Sequence, residues 1–94
     1  MKLKYEIHPE KSYKRQYKQL QKRGYDMSLI DEVVLLLAQG KTLPKKYVDH
    51  PLKGELYGYR DCHIKSDWVL IYKIDNKILT LILAKTGTHS DILE

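Results

Sequence analysis

The chain has 94 residues, a formal net charge of +5 and a single cysteine, which fits one compact domain and excludes an internal disulfide. No apolar run approaches the roughly 18 residues that a membrane-spanning helix needs, and the first residues contain no hydrophobic export signal. These features predict a single domain over residues 1–94 that works in the reducing cytoplasm and does not contact a membrane.

The first half of the chain predicts one strand and two helices. Apolar and charged residues alternate over residues 3–7, as in a half-buried strand, and Pro9 is expected to end it. Pro9 also suits the first position of a helix, which we expect to run to about Arg23. A second helix is expected to begin at Ser28 and to end before Gly40.

The second half changes to the two-residue period of strands. Residues 41–54 are predicted to form a loop, because they contain proline, glycine and short polar residues. Three strands are predicted after it: Leu56–Ile64, Trp68–Ile74 and Ile78–Lys85. The order of strand, two helices and three strands predicts an α+β domain in which an antiparallel sheet carries the helical hairpin on one face.

Positive charge is concentrated at the start of the chain. Residues 1–25 contain two acidic residues and eight basic ones, namely Lys2, Lys4, Lys11, Lys14, Arg15, Lys18, Lys22 and Arg23. Such a block is typical of a protein that binds nucleic acid or an acidic partner. A lysine-rich, solvated helix face has the same composition, so charge alone leaves both interpretations open.

Three of the four histidines lie in the second half of the chain, on different segments. His50 is in the predicted loop, His63 is near the end of a strand, and His89 follows the last strand. Metal-free RNA cleavage through the 2′-OH needs one group to take a proton and another to give one, and imidazole does both near neutral pH. Arg60 and Lys65 are candidates for stabilising the charge of the phosphate.

Other interpretations of these residues remain open. An exposed Trp68, Tyr57 or Tyr59 would stack against a splayed base, whereas a tryptophan at the start of an apolar strand is more often a core residue. The histidines and Asp67 also include enough ligand types for zinc, although no H-x-x-x-H or C-x-x-C pair is present. The residue pattern therefore predicts a basic α+β domain with a candidate histidine site.

Four ordered motifs resemble those of the YafQ branch of the RelE toxin superfamily. They are D-H-P-L-x-G at residues 49–54, Y-R-D-x-H at 59–63, D-W at 67–68 and T-G-T-H at 86–89. The resemblance covers essentially the whole chain. It implies a toxin of a type II toxin–antitoxin system, which cleaves mRNA in the A site of the 70S ribosome and is held inactive by a DinJ-like antitoxin. Because the candidate groups are imidazoles and no metal-ligand spacing is convincing, we expect cleavage without a metal or other cofactor.

The same resemblance identifies candidate site residues. The family's catalytic set corresponds here to His50, His63, Asp67 and His89. We expect His50 to be the general base and His89 the general acid, with the other two orienting or stabilising. The predicted RNA contacts are Arg60, Lys65, Trp68, Lys14, Arg15, Lys18 and Leu93, the last standing where the family commonly has Phe. The alternatives are a non-catalytic module that binds RNA or the ribosome, and a metal-dependent hydrolase.

Overall fold

The computed structural model describes residues 2–93, with the side chain of Leu93 excepted. The elements in chain order are β1 (Glu6–Pro9), α1 (Lys11–Lys22), α2 (Ser28–Ala38), β2 (His50–Pro51), β3 (Arg60–Lys65), β4 (Trp68–Asp75), β5 (Thr80–Thr88) and α3 (His89–Leu93). The predicted α+β class is confirmed. Within residues 2–93, no helix is long and apolar enough to cross a membrane.

The five strands form one mixed sheet in the order β1-β5-β4-β3-β2. β1 runs parallel to β5, whereas the other neighbouring strands are antiparallel. The prediction of an antiparallel sheet is therefore wrong for β1, because two helices follow that strand and no hairpin turn fixes its direction. β2 is a short strand within the segment that was predicted to be a loop.

β1 begins at Glu6, later than the alternation predicted. The N–H groups of Lys4 and Tyr5 donate to the carbonyl of Ala38 at 2.9 and 3.0 Å, which binds the preceding segment to the end of α2. Pro9 ends β1 as predicted but does not start the helix. It is itself part of the strand, and β1 lies at the sheet edge, where a residue without an N–H group is tolerated.

β3 begins at Arg60 and not at Leu56. Gly54 and Gly58 have φ angles of 70° and 94°, and these left-handed values interrupt an extended backbone. The segment before β3 is therefore a series of tight turns, although its apolar residues suggested a longer strand.

β5 begins at Thr80, whereas the prediction placed its start at Ile78. β4 ends at Asp75, so the turn that follows is longer than the two residues predicted, and within it the carboxylate of Asp75 accepts the N–H of Lys77 at 2.9 Å. β5 ends at Thr88 and not at the predicted Lys85, so His89, the next residue of the chain, lies at the end of the sheet.

Both α1 and α2 pack against one face of the sheet, as predicted. The core contains Tyr13, Leu20, Ile30, Val33 and Leu37 from the helices, and Cys62, Leu70, Tyr72 and Leu81 from the strands. Two polar contacts attach α1 to β5. The Ser12 hydroxyl donates to the Ala84 carbonyl at 2.7 Å, and the Gln16 side-chain oxygen accepts the N–H of Thr86 at 3.0 Å. β5 is thereby fixed to the helical layer close to its C-terminal end.

Candidate active site

The register of the sheet brings candidate residues from two segments to one face. Asp61 and His63 alternate with the core residue Cys62, so they lie on the face opposite the helices. β2 places His50 directly opposite Asp61, and residues that lie opposite each other on neighbouring strands share a face. His50, Asp61 and His63 are therefore neighbours because of strand pairing.

The imidazole rings of His50, His63 and His89 form a row. The ring centroids of His50 and His63 are 6.2 Å apart, and those of His63 and His89 are 5.7 Å apart. His89 joins the row because it is the first residue of α3, directly after β5. The structure thus brings together three histidines that lie on separate segments of the sequence.

At one end of the row, the Nδ1 atom of His89 contacts a carboxylate oxygen of Asp67. Asp67 lies in the turn between β3 and β4. The hydrogen bond raises the pKa of His89 and lowers the pKa of Asp67, because it favours the charged form of each group. The side chains remain 47% and 59% exposed, so a substrate can reach the protonated imidazole.

At the other end of the row, the backbone fixes the tautomer of His50. Its Nδ1 atom lies 2.8 Å from the carbonyl oxygen of Val48, and a carbonyl only accepts hydrogen bonds. The neutral ring therefore carries its hydrogen on Nδ1 and has its lone pair on Nε2. Val48 has a φ of 48°, which is strained for a β-branched residue.

Asp61 is a site residue that the sequence interpretation did not select. Asp61 is buried, with 8% of its surface exposed. One oxygen of its carboxylate lies 3.8 Å from Nε2 of His50. The other oxygen has no hydrogen-bond partner among the described residues. A buried carboxylate oxygen without a donor is unfavourable. The available signal was the two-residue spacing from His63, which places both side chains on one face of a strand.

Asp61, His63 and His89 also form a candidate cation site. One ligand atom from each lies within 4.8 Å of the others, and imidazole nitrogens and carboxylate oxygens suit zinc or copper. A ligating imidazole must be free of its proton at the ligating nitrogen. Holding a proton for catalysis and binding a cation are therefore competing states of His89.

Trp68 is buried, so the expectation of an exposed stacking surface is wrong for this residue. It is 3% exposed, its indole N–H donates to the hydroxyl of Thr86 at 2.9 Å, and its ring meets the edge of Tyr25 at 5.2 Å. Trp68 is one of the core residues of β4 that face the helices. Tyr57, by contrast, is 82% exposed. The predicted RNA contact of the Leu93 side chain lies outside the described residues.

The two predicted phosphate-binding cations near the site differ in position. The Nε atom of Arg60 donates to the carboxylate of Asp49 at 3.1 Å, and the same oxygen accepts the hydroxyl of Tyr72 at 2.8 Å. Lys65 is exposed and lines an open cleft of about 510 Å³ together with Asp67. Lys65 therefore has direct access to a ligand beside Asp67, whereas the guanidinium of Arg60, which is partly exposed, is paired with Asp49.

The α1 cations, defined as Lys14, Arg15 and Lys18, are exposed. They line two different clefts. Arg15 lines a cleft with Asp91, while Lys14 and Lys18 border an apolar groove beside Tyr17. A ligand bound at one of these clefts would therefore meet only part of the set.

Comparisons with known proteins give a consistent result. A family model described as "bacterial toxin of type II toxin-antitoxin system, YafQ" matches residues 5–94. The mRNA interferase toxin YafQ of Escherichia coli (strain K12) is 43% identical over 79 residues, which are 83% of this chain and 84% of that protein. A chain in the structure of the E. coli DinJ–YafQ toxin–antitoxin complex is 36% identical, with a TM-score of 0.88 over 98% of this chain and 100% of that one. A metal-bound toxin from Helicobacter pylori is 41% identical, with a TM-score of 0.88 over 94% of this chain and 98% of that one.

Proposed function

This chain belongs to the YafQ family of bacterial type II toxin–antitoxin toxins, and we propose that it cleaves mRNA on the ribosome and thereby arrests translation. Its E. coli relative is named an mRNA interferase. The observation that carries the proposal is the row of three imidazoles, with a carboxylate near each end. This arrangement offers a proton acceptor and a proton donor to one phosphodiester without requiring a metal.

We assign the general base to His50. Its Nε2 lone pair takes the proton of the substrate 2′-OH, and the 2′-oxygen then attacks the adjacent phosphorus. The ring is held for this role by the Val48 carbonyl. The carboxylate of Asp61 lies 3.8 Å from Nε2 and offers an opposite charge to the imidazolium that forms as the proton is taken.

We assign the general acid to His89. As the bond from phosphorus to the 5′-oxygen breaks, His89 gives its proton to that oxygen, leaving a 2′,3′-cyclic phosphate and a 5′-hydroxyl. The contact with Asp67 supports this role because it favours the protonated ring in the free protein. His63 lies between the two and in its protonated form would stabilise the negative charge that develops on the non-bridging oxygens.

The proposed partners are the 70S ribosome with its mRNA and a DinJ-like antitoxin. The E. coli relative was crystallised as a complex with DinJ, and its structure covers 98% of this chain. The net charge of +5 favours association with ribosomal RNA and with an acidic antitoxin segment. In this proposal the antitoxin restrains the toxin until the antitoxin is removed.

Metal-dependent hydrolysis is the second candidate. The cluster of Asp61, His63 and His89 favours it, as does the similarity to a toxin that was crystallised with metal. A metal-dependent enzyme loses activity when transition metals are removed, whereas acid–base cleavage by imidazoles does not. A third possibility, binding without catalysis, gives a translation block with no cut RNA.

The assignment of His50 is tested by His50→Asn. Asparagine retains an N–H that can donate to the Val48 carbonyl, but it has no basic nitrogen. We expect single-turnover cleavage on programmed ribosomes to fall by about 10²-fold or more, with unchanged ribosome binding and an unchanged melting temperature. The matched control is His8→Asn, because His8 is exposed on β1 and is not in the row.

Cleavage by His50→Asn at the rate of the His8 control would show that His50 is not the base. A parent protein that binds the ribosome and leaves the mRNA intact would instead overturn the proposed nuclease function.

A further inference from the structure

Helix α3, which carries His89, begins with a reciprocal pair of hydrogen bonds. The N–H of Thr88 donates to a carboxylate oxygen of Asp91 at 3.0 Å, and the N–H of Asp91 donates to the hydroxyl of Thr88 at 3.2 Å. This is a capping box, in which the residue before the helix and its third residue satisfy each other's N–H groups. His89 is the first residue of this helix, so the capping box determines the direction in which its side chain leaves the chain.

Arg23 links the capping box to the end of α1. Its guanidinium donates to the same carboxylate oxygen of Asp91 at 3.1 Å. The guanidinium also lies over the ring of Tyr25 at 5.2 Å from the centroid. Tyr25 in turn packs against the buried Trp68, so the ring that contacts Arg23 is itself fixed by the hydrophobic core.

The backbone at Gly87 allows Asp91 to come this close. A Cβ atom at Gly87 would lie 2.9 Å from Cβ of Asp91, and the φ of Gly87 is 152°, a value that L-residues rarely adopt. Both observations indicate that the chain is folded tightly around the Asp91 carboxylate. The close contact between Gly87 and Asp91 matters because residues 89–91 are exposed, so burial contributes little to holding them in place.

We propose that Arg23, Thr88 and Asp91 form a clamp that positions His89 against Asp67 for proton donation. They are positioning residues, and this inference rests on the proposed function of His89 as the general acid. A helix of five residues is not stable on its own, so the tie to α1 decides where its first residue lies. A displacement of about 1 Å at a reacting group lowers the rate by about 10²-fold.

The test replaces Arg23 with methionine, which keeps an apolar stem over Tyr25 but removes the ion pair with Asp91. We expect kcat on programmed ribosomes to fall by about 10-fold or more, with KM unchanged, because the clamp acts on the acid and not on RNA binding. Arg23→Lys should restore part of kcat. Lys77→Met, at the turn between β4 and β5, is the control for loss of one positive charge.

A second readout does not depend on cleavage. In Arg23→Met, the amide hydrogen of Thr88 should exchange with solvent at least 10-fold faster than in Lys77→Met, because its acceptor is no longer held. Equal exchange rates in the two variants, or a kcat equal to that of Lys77→Met, would overturn the clamp. An increase in KM alone would also overturn it and would make Arg23 an RNA contact.

If the parent protein does not cleave RNA, the proposed function fails, and amide exchange alone then decides whether the clamp exists. Should Arg23→Met melt at a much lower temperature, Asp91→Asn is the substitute variant. It keeps a side-chain oxygen for the Thr88 N–H but removes the negative charge that faces Arg23, and the same two outcomes apply.

Discussion

Replacing Thr86 with valine removes a buried hydroxyl from beneath the site at nearly constant volume. The hydroxyl accepts the indole N–H of Trp68 and donates to the carbonyl of Val69, both at 2.9 Å, and Thr86 is fully buried. Each buried group left without a partner costs about 1–3 kcal/mol. Loss of both bonds should therefore lower the free energy of unfolding by about 2–6 kcal/mol, which corresponds to a fall in melting temperature of roughly 10–30 °C for a domain of this size.

The assay is equilibrium unfolding of the parent protein, Thr86→Val and two reference variants. Thr86→Ser keeps the hydroxyl and loses one methyl group, so we expect a cost of about 1 kcal/mol. Thr80→Val makes the same change on the same strand, where Thr80 is only half-buried and its hydroxyl donates to the nearby Ile78 carbonyl at 3.1 Å, and it should cost less than about 0.5 kcal/mol. Equal stability of Thr86→Val and Thr80→Val would refute the role of the buried hydroxyl in joining β4 to β5.

Three further predictions concern the site and the basic surface. Asp67→Asn should lower the pKa of His89 toward its ordinary value and move the alkaline limb of the rate–pH profile to lower pH, because the hydrogen bond that raises this pKa is lost. An unmoved limb would separate His89 from the acid step. Asp61→Asn should reduce kcat by about 10-fold or more with unchanged ribosome binding, since the imidazolium of His50 loses its stabilising charge. Charge reversal of all three α1 cations should reduce the slope of log binding constant against log salt by roughly 2, whereas an unaltered slope would show that they are only a solvated face.

The helices and the hairpin strands could be predicted because their period is visible in the sequence. α2 begins at Ser28, and β4 begins at Trp68, as predicted. β2 is different, because a strand of two residues contains no measurable period. Its pairing with β3 is decided by tertiary structure, and it is this pairing that brings His50 to Asp61.

The candidate catalytic set was predicted from motif resemblance, and its geometry could not be predicted from the residues. Asp61 was missed because its motif was considered as a whole, although alternation in β3 places it on the face of His63. Alternation along β4 places Trp68 with Leu70 and Tyr72 on the face that packs against the helices, where Thr86 satisfies its indole N–H. The alternation of residues along a strand therefore indicates which side chains share a face of the sheet, which residue types alone do not.

Polar contacts between distant segments were the least predictable feature. Arg23 was counted in the basic block near the start of the chain, yet its guanidinium pairs with Asp91 in the last helix. Similarly, the guanidinium of Arg60 pairs with Asp49, a partner that the sequence did not indicate, and its phosphate contact stays a prediction. A charge in a sequence has no visible partner until the fold brings one near, so net charge predicted a basic surface but not which cations are free.

The most direct test of metal-free cleavage by the histidine row is the chemistry of the RNA ends. Programmed 70S ribosomes are treated with the protein in the presence of Mg²⁺, which ribosomes need, and of a chelator that removes zinc and copper but binds Mg²⁺ weakly. We expect full cleavage, with a 2′,3′-cyclic phosphate or 3′-phosphate on one fragment and a 5′-hydroxyl on the other. Fragments with a 5′-phosphate, or activity that disappears with the chelator and returns with added zinc, would contradict acid–base catalysis by His50 and His89.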